Sequence, residues 1–271
     1  MSLESQLYDN DGKINNLVTK FSPHSSRIDK PGIINWLKQF QPKDIPLAIK
    51  LLENILFCDV RYSYLGFKNI YQKFKTVKQK YHAEYFSGAG SAGGSGSGLI
   101  RDFRVANLMR KKSHNSKFKY MSELSNLPNK NCSLLLLDDF VGTGNQALTY
   151  YSDLKDELNI PDEIDLYLGV LLASNKAITK IEDETDFTVI NHHTLTDRDN
   201  VFASQNTVFN EKEKEILKHY CKISKVNEYL GYEDCGYIIA FSDSTPNNSI
   251  AVVKSNSHHF RGIFPRDGYE V

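Results

Sequence analysis

A run of four leucines that ends in two aspartates constrains this sequence more than any other feature. Residues 134–137 are all leucine, and Asp138 and Asp139 follow directly. A fully apolar run of this kind is typical of a central strand in a parallel sheet. The next segment, residues 140–146 (FVGTGNQ), predicts a tight turn that leads into a helix. Because open α/β sheets bind ligands at the carboxyl ends of their strands, the pattern predicts a binding site at this turn.

The residue types in this segment indicate what the site would bind. The Asp138 and Asp139 carboxylates can accept hydrogen bonds from a sugar diol, and the free amides of a helix start suit a phosphate group. Thr143 and Asn145 can add side-chain donors. The segment therefore predicts a site for a ribose 5-phosphate. The alternative is that the aspartates cap a neighbouring turn and the glycines only make it tight.

A second glycine-rich segment precedes the leucine strand. Residues 87–98 hold six of the sixteen glycines, with four serines and two alanines. The tract lies between a candidate strand and a candidate helix that carries Arg101 and Arg104, which favours a phosphate-binding loop. A flexible linker or a designed insertion would have a similar composition. The tract matches GxGxxG, but no acid lies about 20 residues later, so a dinucleotide fold is disfavoured.

The order of the predicted elements gives the fold class. From residue 83 onward, apolar strands alternate with helices, which is typical of a parallel α/β sheet flanked by helices. Residues 1–28 show little pattern and predict a loosely attached arm, and residues 29–82 predict helices. We therefore divide the chain into an arm and helical section, 1–82, and an α/β domain with a C-terminal β extension, 83–271.

Composition excludes several classes of protein. The chain has 271 residues, of which 40% are hydrophobic and 24% charged, which is ordinary for a globular protein. No apolar run is long enough to span a bilayer, and the N-terminus lacks a secretory signal, so we expect no membrane partner. The four scattered cysteines predict free thiols and a cytoplasmic location.

Charge is balanced over the whole chain but not along it. Residues 66–120 hold twelve basic and two acidic side chains, a net charge of +10, and the remainder carries −10. A basic block of this kind can bind an anionic ligand or a nucleic-acid backbone. The alternative is a solvated helix face on which lysines alternate with core residues.

The segment from Leu134 to Gln146 resembles the 5-phosphoribosyl-1-diphosphate (PRPP) motif of type I phosphoribosyltransferases. The resemblance implies that Asp138 and Asp139 contact the ribose hydroxyls and, through ribose or water, Mg²⁺. It also implies a 5-phosphate site at Val141, Gly142, Thr143, Gly144, Asn145 and Gln146. The glycine tract would be the diphosphate loop, with Ser91, Gly93, Gly94, Ser95, Gly96, Ser97, Arg101 and Arg104.

A wider resemblance covers most of the chain. The WLKQF helix, SGSGLIRDFR in the middle and TPNNS near the end resemble the phosphoribosyltransferase-like proteins of bacterial conflict systems, often called PRTase-CE, some of them linked to retrons. This resemblance implies an acceptor-side role for Asn247 and Asn248. It also implies a partner, either nucleic acid or a reverse transcriptase or other defence protein.

These resemblances together imply a PRPP-dependent, Mg²⁺-dependent phosphoribosyltransferase that acts in anti-phage defence and releases diphosphate. One alternative is a non-catalytic PRPP- or nucleotide-binding module that docks nucleic acid or a protein through residues 66–120. Another is a nucleotide-salvage enzyme. Only residues 113–133 are free to form the loop that covers the reacting centre in typical members, so we expect a short lid or a site that a partner completes.

Overall fold

A computed structural model describes residues 2–21, 28–90, 96–128 and 130–266. The helices, in chain order, are α1 Leu3–Asp9, α2 Asp11–Phe21, α3 Lys30–Leu37, α4 Ile45–Asn54, α5 Val60–Val77, α6 Gly96–Ala106, α7 Asn145–Ser152, α8 Asn175–Glu184, α9 Glu211–Ile223 and α10 Ala251–Lys254. The strands are β1 Leu56–Cys58, β2 Ala83–Gly88, β3 Cys132–Val141, β4 Asp165–Ser174, β5 Thr188–Leu195 and β6 Ile239–Phe241.

The chain forms two compact units. The terminal unit comprises Met1–Val60 and Asp197–Val271, and the sheet unit comprises Arg61–Thr196. This grouping differs from the division at residue 82 that the sequence suggested. The physical reason is that α1 to α4 share a hydrophobic core with α9 and the C-terminal segment, so the two ends of the chain fold together.

The N-terminal residues belong to that core. Phe21 is fully buried, Ile14 and Leu17 are almost fully buried, and Phe21 packs edge-on against Phe264 at a ring separation of 5.2 Å. Residues 3–21 therefore form two packed helices, which differs from the expectation of a loosely attached arm. In the same unit β1 pairs in parallel with β6, whereas the IAVV segment near the C-terminus lies at the start of α10 and not in a strand.

The sheet unit is a four-stranded parallel sheet in the order β2-β3-β4-β5. This sheet, with its flanking helices, confirms the α/β fold class. Its two central strands are the apolar runs of the sequence, because both of their faces are covered. A Cβ atom at Gly169 on β4 would lie 2.9 Å from Ile70 on α5, so glycine allows this helix to pack closely on the sheet.

Different helices pack on the two faces of the sheet. The side chains of Leu134 and Leu136 pack with α7 and α8 in one hydrophobic cluster. On the other face Phe86 contacts Phe74 of α5 and Phe103 of α6, with ring separations of 6.0 and 5.2 Å. The carboxyl end of β3 is thereby held between two packed layers. No helix in the described ranges is long and apolar enough to cross a membrane.

Candidate functional site

The two aspartates lie near the carboxyl end of β3. The strand continues through both of them to Val141, and Asp138 pairs in register with Val170 of the neighbouring β4. Asp138 is only 5% exposed, whereas Asp139 is half-buried. The apolar residues 134–137 anchor this strand between its neighbours, so the carboxylates are held on rigid backbone.

The two carboxyl groups interact with each other. Burial, and after it the charge of Asp139, raises the pKa of Asp138 well above its ordinary value of 3.8. The Asp139 backbone amide donates a hydrogen bond of 2.8 Å to Asp138 Oδ1, which opposes this shift but does not overcome it. A buried acid with a raised pKa, beside a second acid at the end of a central strand, is typical of a functional site.

The turn after the strand is built for close approach to an anion. Gly144 precedes α7 and has φ +86° and ψ −14°, in the left-handed region that favours glycine. Its backbone lies over α8, because a Cβ atom here would be 3.5 Å from the Ala177 carbonyl oxygen. The N-terminus of α7 begins at Asn145, where free amides and the helix dipole favour a phosphate. Thr143 lies half-buried between Gly142 and Gly144.

Neighbouring elements hold this turn in place. The hydroxyl of Ser174, at the end of β4, donates a 2.6 Å hydrogen bond to the Gly142 carbonyl and accepts one from the Ala177 amide. Lys180 of α8 places its ammonium 2.6 Å from Asn145 Oδ1. Lys180 therefore brings a positive charge to the start of α7, where the 5-phosphate site was predicted.

The helix α7 brings a second polar pair to the site. Gln146 donates a hydrogen bond from Nε2 to the Tyr150 hydroxyl. Burial and the nearby charge of Asp138 raise the pKa of Tyr150, so its hydroxyl stays protonated. Sequence reasoning missed Ser174, Lys180 and Tyr150, since their links to the turn depend on packing between elements.

The glycine tract approaches the same helix. A Cβ atom at Gly90, which has φ +97°, would lie 3.6 Å from the Tyr150 hydroxyl. A Cβ atom at Gly88 would lie only 2.3 Å from the Gly96 carbonyl oxygen, so glycine is required where β2 ends and α6 begins. The structure thus places Gly90, just after β2, beside Tyr150 of α7, the helix that follows the Gly144 turn.

The predicted diphosphate-loop residues divide into two groups. Ser91, Gly93, Gly94 and Ser95 lie outside the described residues. Gly96 and Ser97 open α6, and Arg101 and Arg104 follow on the same helix. The exposed Arg101 pairs with Asp102 at 3.0 Å, and Arg104 donates to Asn115 Oδ1 at 2.6 Å while its guanidinium lies 4.6 Å from the centre of the Phe118 ring. Both arginines line a cavity of about 990 Å³.

The segment predicted as a short lid is anchored at several points. Residues 112–117 and 121–126 form two 3₁₀ helices. Between them the Lys119 amide donates 2.9 Å to the Phe86 carbonyl, and the Phe118 ring packs on Phe86 at 5.2 Å. Leu124 is fully buried. The described part of this segment is therefore a packed wall beside the glycine tract.

Asn247 and Asn248 lie in the terminal unit, where both bind the segment 232–235. The Asn247 carbonyl accepts from the Tyr232 amide at 3.0 Å. The buried Asn248 donates through Nδ2 to Cys235 Sγ at 3.1 Å. These contacts account for the two residues as turn-forming groups, and their acceptor-side role stays a prediction.

The site offers a pair of carboxylates for a metal ion. Among the described residues, no group of three or more histidine, cysteine, aspartate or glutamate side chains could hold one. Mg²⁺ characteristically uses one or two carboxylates together with waters and the phosphates of its substrate. The pair Asp138 and Asp139 fits this kind of shared coordination and does not form a site that is complete without a ligand.

Comparison with known proteins agrees with this geometry. A family model described as PRTase-CE matches residues 33–266. A search of curated proteins finds none that matches this chain. The matched region includes both aspartates, both glycine-containing turns and the asparagine pair near the C-terminus. The chain therefore belongs to the PRTase-CE family of phosphoribosyltransferase-like proteins.

Proposed function

We propose that this protein binds PRPP with Mg²⁺ and transfers its phosphoribosyl group, releasing diphosphate. The observation that carries the proposal is the adjacent pair Asp138 and Asp139, held near the end of a central parallel strand and followed by a glycine turn at a helix N-terminus. Gly90, at the end of the neighbouring strand β2, approaches Tyr150 of α7, and α6 carries two arginines, Arg101 and Arg104. PRPP needs these three elements for its diol, its 5-phosphate and its diphosphate.

Each group of residues then has a defined task. The amides at the start of α7, with Lys180 nearby, bind the 5-phosphate and fix the ribose. Asp138 and Asp139 accept hydrogen bonds from the ribose hydroxyls. Arg101 and Arg104 neutralise the diphosphate as its bond to the anomeric carbon breaks. Orientation and charge stabilisation, rather than a nucleophilic side chain, carry the reaction.

Positive charge develops on the ribose ring as diphosphate departs, as in glycoside chemistry. The carboxylates of Asp138 and Asp139 stabilise that charge best when both are ionised. Mg²⁺, when bound, neutralises the diphosphate and acts as a Lewis acid on its oxygens. Hydrogen bonds from the ribose hydroxyls and a Mg²⁺ ion beside the carboxyl group would both lower the pKa of Asp138 and so favour its ionised form.

The test is release of diphosphate from PRPP and Mg²⁺ in the presence of nucleobases, nucleotides and oligonucleotides. We expect release with at least one acceptor by the wild-type protein and none by Asp138→Asn/Asp139→Asn. Equal release by the double variant would reject the proposal. Turnover of a free nucleobase without a partner would identify a salvage enzyme. PRPP binding with no release would identify a binding module.

The family also suggests a cellular role. Membership in a family that we associate with bacterial conflict systems supports a role as an effector in anti-phage defence. The test compares phage plaque formation on bacteria that carry the whole locus with that on bacteria that carry Asp138→Asn/Asp139→Asn. Protection that is unchanged by the double substitution would separate the defence role from PRPP chemistry.

A second candidate function is docking of nucleic acid through the basic segment 66–120, which lies wholly in the sheet unit. On α5 the side chains of Lys68, Lys73 and Lys75 are exposed, and Tyr81 after the helix is 88% exposed. Lys78 and Lys117, by contrast, both pair with Glu84 at 3.5 and 3.1 Å. Affinity for DNA or RNA that falls steeply with salt would support this candidate, and a flat salt response would exclude it.

A further inference from the structure

The cavity beside the glycine tract is larger and more varied than a diphosphate needs. It encloses about 990 Å³ within the sheet unit. One wall is the backbone of Gly88, Gly90 and Gly96, and a second is α6. The anchored segment around Phe118 and the residues 153–158 that follow α7 line the other sides. A volume of this size lies at the upper end of the range for small-molecule sites.

Positive charge is concentrated on two of these walls. Arg101 and Arg104 project from α6, and Arg110 and Lys119 from the segment that follows it. Within the described ranges the side chains of Arg110 and Lys119 form no ion pair, so their charge is available to a ligand. Two acids, Asp153 and Glu157, line the cavity from the π-helical segment Asp153–Glu157 that follows α7. The lining therefore carries a net charge of +2 and favours an anion.

The remaining lining is apolar and aromatic. Ile100, Val105, Met121 and Leu158 line the cavity and are only partly buried. Two aromatic side chains, Phe118 and Tyr120, line it beside them, and Tyr120 is 72% exposed. PRPP has no apolar or aromatic part that could cover these groups. A partly exposed apolar surface inside a charged cavity indicates a ligand that carries both a flat ring and phosphate.

We propose that this cavity binds a nucleotide, with its phosphates on Arg110 and Lys119 and its base against the aliphatic and aromatic wall near Tyr120. Cations and glycine backbone suit the phosphates, and aromatic and aliphatic groups suit the face of a base. The proposal goes beyond PRPP binding. It rests on the proposed function only in that Gly88, Gly90 and Gly96 would serve both ligands, so the nucleotide would be the second ligand of the same site.

The experiment titrates ATP, GTP, CTP and UTP into the full-length protein, with inorganic tripolyphosphate as a probe that has phosphates but no base. We expect at least one nucleotide to bind about tenfold more tightly than tripolyphosphate, since base contacts contribute about 1–3 kcal/mol. Arg110→Ala/Lys119→Ala should lower the affinity for that nucleotide at least tenfold. Tyr120→Ala should lower the affinity for the nucleotide but leave the affinity for tripolyphosphate unchanged.

The controls use the same residue types elsewhere in the sheet unit. Lys68→Ala/Lys80→Ala removes the same charge from the basic segment without touching the cavity, and Tyr81→Ala removes an equally exposed tyrosine. Both should leave nucleotide affinity within about twofold of wild type. The proposal fails if no nucleotide binds, if tripolyphosphate binds as well as every nucleotide, or if the control pair weakens binding as much as the cavity pair.

PRPP is titrated into the same set of variants, which separates the two proposals. Magnesium-dependent PRPP binding without nucleotide binding would overturn the nucleotide site and leave the proposed function intact. Nucleotide binding that Arg110→Ala/Lys119→Ala weakens, without any PRPP binding, would support the nucleotide site and overturn the proposed function. Melting temperatures of all variants confirm that each one is folded before its affinity is compared.

Discussion

The Ser174 hydroxyl, at the end of β4, donates a hydrogen bond of 2.6 Å to the carbonyl of Gly142 in the turn after β3. It also accepts a hydrogen bond from the Ala177 amide and so caps α8. One buried side chain thus ties the turn at the start of α7 to the next strand and helix. We expect Ser174→Ala to cost about 1–2 kcal/mol of folding free energy and to weaken PRPP binding. Calorimetry on Ser174→Ala beside Ser204→Ala, an exposed serine of the terminal unit, tests this; equal PRPP affinity in both would contradict it.

Asp138→Asn is expected to stabilise the fold while it weakens PRPP binding. The pKa of Asp138 is raised by folding, so the unfolded chain loses this proton at lower pH and the carboxyl destabilises the native state as pH rises. The gain in folding stability should therefore be present at neutral pH and vanish at pH values well below 3.8, the ordinary pKa of an aspartate. Thermal melts across pH measure it, at about 2–4 °C for each kcal/mol. A lower melting temperature at neutral pH would contradict the assigned shift.

Binding of PRPP with Mg²⁺ is expected to release protons. Asp138 has a raised pKa in the free protein, and hydrogen bonds from the ribose hydroxyls, together with a Mg²⁺ ion held beside the carboxyl group, would lower it. The number of protons released follows from calorimetry in buffers with different ionisation enthalpies. Asp138→Asn is the control and should remove this dependence on buffer. Proton uptake by the wild-type protein would mean that the carboxyl pair does not face the cation.

Gly144→Ala and Gly12→Ala should have opposite effects on stability. Gly144 has φ +86°, where an alanine costs about 1–2 kcal/mol, and the altered turn should also weaken PRPP binding. Gly12 lies in α2, and a Cβ atom there would have no neighbouring atom within 4 Å, so alanine should gain about 0.5–1 kcal/mol. Chemical denaturation measures both changes. A neutral Gly144→Ala variant with normal PRPP affinity would show that the turn does not need glycine.

Lys180→Gln should weaken PRPP binding about tenfold with little effect on stability. The ammonium lies 2.6 Å from Asn145 Oδ1, so its charge acts at the N-terminus of α7. Loss of one charge-assisted contact to a phosphate has about this effect. Lys218→Gln, at an exposed position on α9 of the terminal unit, is the control for net charge. The affinity for ribose 5-phosphate should fall by the same factor as that for PRPP. An unchanged affinity for both ligands would show that Lys180 does not contact the 5-phosphate.

The strands of the sheet unit could be predicted from the sequence because strands covered on both faces are continuous apolar runs. The helices of residues 3–21 were missed although Ile14, Leu17 and Phe21 have helical spacing, because the surrounding residues are polar. The union of both chain ends in one core could not be predicted, since it depends on contacts between residues that are more than 200 positions apart, such as Trp36 and Val252.

The same distinction applies to the candidate site. Asp138, Asp139 and the turn that follows are contiguous, so local pattern was enough to single them out. Ser174 and Lys180 reach that turn from 32 and 35 residues away, and nothing in their local sequence indicates a role. The segment 113–133 was expected to form a short lid because it stands where typical members carry the covering loop, whereas Leu124 and the ring of Phe118 anchor the described part of it.

The central claim is that Asp138 and Asp139 form a PRPP site, and a calorimetric titration of PRPP with and without Mg²⁺ tests it most directly. The wild-type protein and Asp138→Asn/Asp139→Asn are compared after melting curves show that both are folded. We predict binding that requires Mg²⁺ in the wild-type protein and is lost in the double variant. Equal PRPP affinity in the two proteins would contradict the account.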